Sequence, residues 1–502
     1  MELNCDKKYI MRIINRIIFF ILVSFPALGQ NPFDKIKYQA ESGIYLSTSG
    51  KTPFWLRSNQ YGIVPLESQI LTLRGSLNKE YDSTYTSSKR LNRFNYGYGI
   101  YAVVNVGKAN QILLPEAYIK VRYGAIEFYG GRRKEIVGLV DTALTSGSYI
   151  WSGNALPMPK LQISIPNYTS IVGRGLVSIK LGFAHGWFNN GTVEKSYLHQ
   201  KWIYGRIGKP NWKVKIYGGF NHHVQWGGNP KKPYIEKETG NLVNKYYSDF
   251  DTFIKVITGV SINKDFTGLE TGFPQNEALN RAGNHLGTVD IATEINLKKV
   301  NLFIYRQSIY EDGSLFFLNN IRDGLLGISI KRKNAKRGIN RICFEYIYTL
   351  NQGGKPEDQY DNIPQLRGND NYFNNGIYID GWTYKDYGLG TPLISSLNQI
   401  QESLINDKFA KNSGSYIINN RIKGYNISLS GKMSKIGFTT KLTWSNNLGS
   451  YESYFSAKQF SLLQQINYHL PKYILISSLS IDSGKLYNNN LGLYFGMRRL
   501  FF

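Results

Sequence analysis

Stretches of about ten residues in which every second side chain is apolar recur from one end of this sequence to the other. Ala117, Ile119 and Val121 interleave with Tyr118, Lys120 and Arg122, and Val177, Ile179, Leu181 and Phe183 with Ser178, Lys180, Gly182 and Ala184. Late in the chain Ile436, Phe438, Leu442 and Trp444 oppose Gly437, Thr439, Lys441 and Thr443. Side chains of a strand alternate between its two faces, so each stretch predicts a strand with one apolar face. A soluble sandwich alternates in the same way but does not need short and long connections to follow one another so regularly. A membrane barrel does, because its turns are short at one end and its loops long at the other.

Counting back from the last strand tests that regularity. The connections His469–Lys472, Lys432–Lys435, Arg332–Gly338, Leu297–Lys299, Gly208–Asn211, Val172–Gly175 and Tyr123–Ala125 are short, and all fall on one side. Strands then start near residues 36, 66, 96, 116, 126, 161, 176, 197, 211, 287, 299, 324, 341, 423, 435, 459, 472 and 490. That makes about eighteen, an even number as single-chain bacterial barrels have. Both chain ends land on the short-turn side, which this reading assigns to the periplasm. The closing Phe501 and Phe502 resemble the terminal aromatic of outer-membrane proteins.

Asp249–Gly259 would reverse the parity if it were a strand. Its Phe250, Phe253, Ile254 and Ile257 instead follow helical spacing, with Ser248 or Asp249 placed to cap the start and Gly259 to end it. A short helix is predicted, packing Phe253 and Ile254 against its own loop. The expected fold class is therefore all-β, a closed antiparallel transmembrane β-barrel of about eighteen strands whose long loops carry short helices and plug or cap it. With 502 residues, 50 glycines and 14% aromatics, and no long charged linker, one domain over residues 30–502 is expected.

The N-terminus points to export. Lys7, Lys8, Arg12 and Arg16 precede the apolar run Ile17–Phe25, and Ala27-x-Gly29 offers a small-residue cleavage site, so residues 1–29 read as a signal peptide, with Met11 an alternative start. A transmembrane anchor is the competing reading, disfavoured by the shortness of the run. Cleavage removes Cys5 and leaves Cys343 alone, which excludes an internal disulfide. It takes away four cations and two carboxylates, so the formal charge of +25 falls only slightly. An exported basic chain meets anionic lipid headgroups or acidic polysaccharide, and no nucleic-acid partner is expected. The cluster Lys331, Arg332, Lys333, Lys336, Arg337 and Arg341 falls on a short turn, where anionic headgroups or plain solvent are its neighbours.

Three excursions, near residues 133–160, 223–286 and 351–422, are too long to be simple connections. They are rich in aromatics, amides and glycine and poor in charge runs, so they should be ordered. "SGNALPMPK" (Ser152–Lys160) should be extended, because each proline biases the residue before it away from helix; it should lead the loop into strand six, near the segment Asn369–Lys385.

These same excursions carry a resemblance. "TPFWLRSNQYG" (Thr52–Gly62), "GGRRKEIVG" (Gly130–Gly138), "SGNALPMPKLQISIP" (Ser152–Pro166), "YEDGS" (Tyr310–Ser314) and "YFNNGIYIDGWTYK…LGTP" resemble, in order and spacing, the capsule assembly Wzi family. The resemblance implies an eighteen-stranded outer-membrane barrel acting as a surface lectin, which helps attach or assemble exported capsular polysaccharide on the cell. The partners implied are that or another surface polysaccharide and outer-membrane lipids, with a monomeric barrel.

No cofactor or metal is expected. His222 and His223 are adjacent in a strand and face opposite sides, and G-x-S-x-G, Walker and H-E-x-x-H patterns are missing. Asp141, Glu311, Asp312 and Asp380 are loop carboxylates that a hydrolase would need to pair. Binding needs less: aromatic rings for the C–H faces of sugars, amides for hydroxyls, arginine forks for acidic groups. The candidates are Arg132, Arg133, Asp141, Asn154, Trp226, Arg306, Trp382 and Tyr384. Trp382 and Tyr384 are expected to form a wall of the binding surface, and Arg132 and Arg133 to diverge toward lumen and lipid; Arg306 ends a strand near an acidic loop, with a salt bridge to Glu311 or Asp312 as its plainer role. Each has a packing or ion-pair role as the plainer alternative. A porin for small solutes or glycans is the alternative function.

Overall fold

The structure, a computed structural model, describes residues 36–81, 94–188, 191–236, 240, 242–260, 281–311, 318–354, 370–405 and 416–501. The expected signal peptide lies outside the described residues.

Eighteen strands form one sheet. They are β1 (Lys37–Ser47), β2 (Ile70–Lys79), β3 (Phe94–Gly107), β4 (Gln111–Tyr123), β5 (Ile126–Arg132) and β6 (Lys160–Val172). There follow β7 (Val177–Trp187), β8 (Tyr197–Ile207), β9 (Val214–Trp226), β10 (Asn284–Asn296), β11 (Val300–Glu311) and β12 (Gly324–Arg332). The last six are β13 (Gly338–Tyr348), β14 (Ile422–Met433), β15 (Ile436–Gly449), β16 (Tyr454–His469), β17 (Tyr473–Gly484) and β18 (Asn490–Phe501). Each pairs antiparallel with the next, and β1 pairs with both β2 and β18, Tyr38 opposite Phe501, so the sheet closes on itself. The expected starts lie within a few residues of these. The seven short connections share one end of the barrel with Ile36 and Phe501, the first and last described residues.

The alternation resolves into two faces. Ile119 is 65% exposed on the outer surface, while its neighbours Tyr118 and Lys120 are buried within. Ile163, Ile216, Ile291 and Trp444 are likewise exposed outside. An outward apolar band of this kind is a lipid face, and the strands cross the membrane.

The hydrophobic core lies within the lumen, where inward-facing wall residues meet the long loops. Three connections on the long-loop side, 48–69, 133–159 and the described parts of 349–421, fold inward as a plug that touches the wall around its circumference. The first carries helix α1 (Phe54–Arg57), whose Phe54 amide donates to Asp482 on β17 (2.8 Å) and whose Trp55 indole N–H donates to Thr443 on β15 (3.2 Å). The second is pinned by the Leu139 amide on Asp290 of β10 (2.8 Å), the Tyr149 amide on Gln307 of β11 (2.9 Å) and the Ser146 amide on Glu345 of β13 (2.5 Å). The Asn105 amide of β3 donates to the Ile63 carbonyl (3.0 Å).

Strand β5 is short because the chain leaves the wall after Gly131. Its φ of +121° is open to glycine, and a Cβ there would run into the Ala117 carbonyl. The chain re-enters at β6 through Ser152–Pro159, which lies against the third loop as expected. The Ser152 amide donates to the Leu389 carbonyl (3.0 Å) and the Trp382 indole to the Ile150 carbonyl (3.0 Å).

Asp249–Gly259 is helical: α2 spans Phe250–Thr258, the Asp249 side chain accepts from the Thr252 amide, and Gly259 ends it at φ +67°. Phe253 packs inward, but Ile254 is 43% exposed, a departure from the expected packing of both. The helix lies on the outer wall, not in the lumen.

Candidate functional site

The long-loop mouth is built where the three plug loops meet. Trp382 and Tyr384 have no exposed surface. Trp382 packs against Trp151 and Phe188, with ring centroids 6.3 and 6.1 Å away. Tyr384 accepts from Arg132 Nη2 (3.1 Å). Neither ring presents a face to the mouth, so in this geometry they hold plug to wall.

Arg132 and Arg133 do not diverge. The bend at Gly131 breaks the alternation, so Arg132 reaches the plug while Arg133 donates to Glu127 (2.6 Å) and Glu135 (2.7 Å). Lys160 completes this lumen cluster, 2.7 Å from Glu135. Burial opposes the ionisation of Glu135, but the charges of Lys160 and Arg133 outweigh it and hold its carboxyl down at about 2.

The remaining candidates are also engaged. Asp141 accepts from the amides of Ala143 (3.0 Å) and Leu144 (3.2 Å) and from the Ser329 hydroxyl, with Arg341 Nε 3.0 Å away as an ion pair. Asn154 donates to the Gly388 carbonyl (3.0 Å) and accepts from the Asn59 amide (3.1 Å). Trp226 stacks on Phe253 beneath α2 at 5.5 Å. Arg306 donates to the backbone carbonyls of Ile321 and Asp323 rather than to a carboxylate; Glu311 accepts from the Phe373 amide, and Asp312 lies outside the described residues. Asp380 accepts from the hydroxyl of Thr192 (2.8 Å).

Asp323 itself clasps the third loop, accepting from the amides of Asn351 (3.1 Å) and Gln352 (2.7 Å) and from the Tyr372 hydroxyl (2.7 Å). Burial raises its carboxyl to about 6, the hydrogen bonds holding it below where burial alone would put it.

Among the described residues, a shallow cleft of about 20 Å³ opens at this end between plug and rim, with Lys51, Thr52, Arg57, Gln399, Tyr487 and Asn488 among its residues. That is room for little more than one water, so a ligand here is gripped at an edge rather than swallowed. Arg57 is 4% exposed, its guanidinium 5.6 Å from the Tyr487 ring, and its Nε has no hydrogen-bond partner among the described residues. The rest of the guanidinium is engaged by the Tyr487 hydroxyl and the charge of Asp482, so this one buried N–H is what it can offer to an acidic or hydroxyl-rich group. Sequence reasoning passed over Arg57, Lys51 and Asn488. The available signal was a lone arginine in "TPFWLRSNQYG", next to three residues too apolar for a surface loop.

Among the described residues, no group of three His, Cys, Asp or Glu side chains is arranged to hold a metal ion.

Residues 67–412 match the family described as capsule assembly protein Wzi. Among solved structures, Pseudomonas aeruginosa OccD3 (OpdP) is similar with a TM-score of 0.42 and 10% identity, covering 93% of this chain and 91% of that one. Pseudomonas aeruginosa OpdL gives 0.44 and 7%, over 93% and 97%. An anion-selective porin from Comamonas acidovorans gives 0.36 and 9%, over 93% and 99%. No curated protein matches the sequence.

Proposed function

The chain belongs to the capsule assembly Wzi family, making it a Gram-negative outer-membrane barrel, and on that premise we propose that it binds a surface polysaccharide, capsular or otherwise exported, and helps attach or assemble it without catalysis. The observation that carries this reading is the plug. Its loops fill the long-loop half of the lumen and are pinned to the wall by buried side chains, which favours a holding surface over a conduit. The cleft at Arg57 supplies the polar grip, with Lys51 and Asn488 at its rim. Arg132 and Tyr384, Arg133, Asp141, Asn154, Trp226, Arg306 and Trp382 then act behind that surface, by keeping the loops in place.

The long-loop end faces the outside of the cell in this proposal. An impermeant reagent on whole cells should reach a cysteine placed at the exposed hairpin tip Lys385 and spare one at Pro471. The function is tested by deletion, which should leave polysaccharide secreted but no longer cell-attached, and by Arg57→Ala, which should reproduce that loss in a folded barrel. Normal attachment in both strains rejects the proposal. Sustained large conductance of the purified barrel in a planar bilayer would favour the porin reading instead.

A further inference from the structure

The outer wall changes character at the long-loop ends of β7 to β10. On β9 the outward residues Val214, Ile216 and Phe220 are 44%, 55% and 39% exposed, yet the next ones on the same face, His222, Val224 and Trp226, are buried at 7%, 0% and 3%. His185, His199 and His285 flank them in register on β7, β8 and β10. Four imidazoles would be poor lipid-facing residues; His199, His222 and His285 are buried and His185 is half-buried. Helix α2 lies over them, with the Phe253 ring edge-on to His185 and His199 (5.7 and 6.1 Å), Lys201 donating to the Ile257 carbonyl and Arg281 to the Gly259 carbonyl (2.7 Å).

At 100° per residue the helix has three sectors. Thr252, Phe253 and Val256 face the wall. Asp251, Lys255 and Thr258 form a polar strip. Between these lies an exposed apolar sector: Phe250 is 72% exposed and Ile254 43%. An apolar band of about 25 Å on strands tilted by about 40° takes roughly ten residues of β9, from Val214 to about His223. The helix therefore sits at the upper margin of the lipid face, where amphipathic helices lie in membrane interfaces.

We propose that α2 is an interfacial membrane anchor, its Phe250 and Ile254 sector immersed among the acyl chains of the outer leaflet as a continuation of the barrel's lipid face. Helix α2 thus grips the membrane beside the barrel, independently of any glycan bound at the mouth.

The test uses the full barrel in phosphatidylcholine vesicles whose acyl chains are brominated, with a bimane label on Ile254→Cys, on Phe250→Cys or, as the polar-sector control, on Asp251→Cys. Heat-resistant migration on gels selects folded protein. At least twofold stronger quenching at positions 250 and 254 than at 251 is expected. Equal quenching at all three, or none at 250 and 254 with free quenching by aqueous iodide, overturns the proposal. So does disulfide crosslinking of unlabelled Ile254→Cys barrels to one another in place of lipid quenching, which would assign this face to a second copy of the chain.

Discussion

Trp382→Ala separates a packing tryptophan from a sugar-stacking one. The ring is fully buried, packed against Trp151, Phe188 and His223 with centroids 6.0 to 6.3 Å away, and its N–H satisfies the Ile150 carbonyl. Truncating a buried Trp costs about 3–5 kcal/mol, and the orphaned carbonyl adds about 1 kcal/mol. Of this total, about 4 kcal/mol at the lower end corresponds to nearly a thousandfold loss of local protection. The loss should appear where plug loops bond one another, at the amides of Ser152, Leu389 and Thr391, which donate to Leu389, Trp382 and Tyr149 carbonyls. Wall amides should be unaffected, and the barrel should still migrate as folded. Hydrogen exchange in detergent reads both. Unchanged exchange at those three amides, together with lost glycan retention, would refute the packing argument and restore the ring to the binding surface.

Glu345→Ala removes the acceptor for Thr145, Ser146 and Tyr305, and should free loop 133–159 by about 3–5 kcal/mol and raise single-channel conductance; wild-type conductance with a protease-resistant loop would contradict it. Glu135, held at about 2 in the folded protein, contributes stability above its ordinary value near 4.5 that is lost as pH falls toward 2, so plug amides should exchange faster across that window and Glu135→Gln should flatten the response. Asp323 has the opposite sign. Its carboxyl is raised to about 6, so its contribution is complete below about 3.8 and disappears as pH rises through 6; the amides of Asn351 and Gln352 should lose protection between about pH 4 and 6, and Asp323→Asn should remove the dependence. Asn154→Ala loses a donor and an acceptor to neighbouring loops, and should cost about 1–3 kcal/mol in plug stability, read as earlier proteolysis at residues 152–160.

The sequence alone determined the wall. Strand alternation repeats every two residues and turn chemistry is confined to a few positions, so Ile119 against Lys120, or Lys432–Lys435 as a turn, can be recognised without knowing any distant neighbour. The cap and stop of Asp249 and Gly259 were legible for the same reason. Exposure in the plug was not local. Whether Trp382 stacks on a sugar or on Trp151 depends on a segment 231 residues away in sequence, folded through a bend that only Gly131 permits. That bend also sent Arg132 inward, against the alternation that runs through β5 from Ile126 to Tyr129. The histidines show the limit most directly. Their outward parity was readable from the strands, but their cover was decided by a helix of the excursion between β9 and β10 folded back over them, and no pattern within β9 records it.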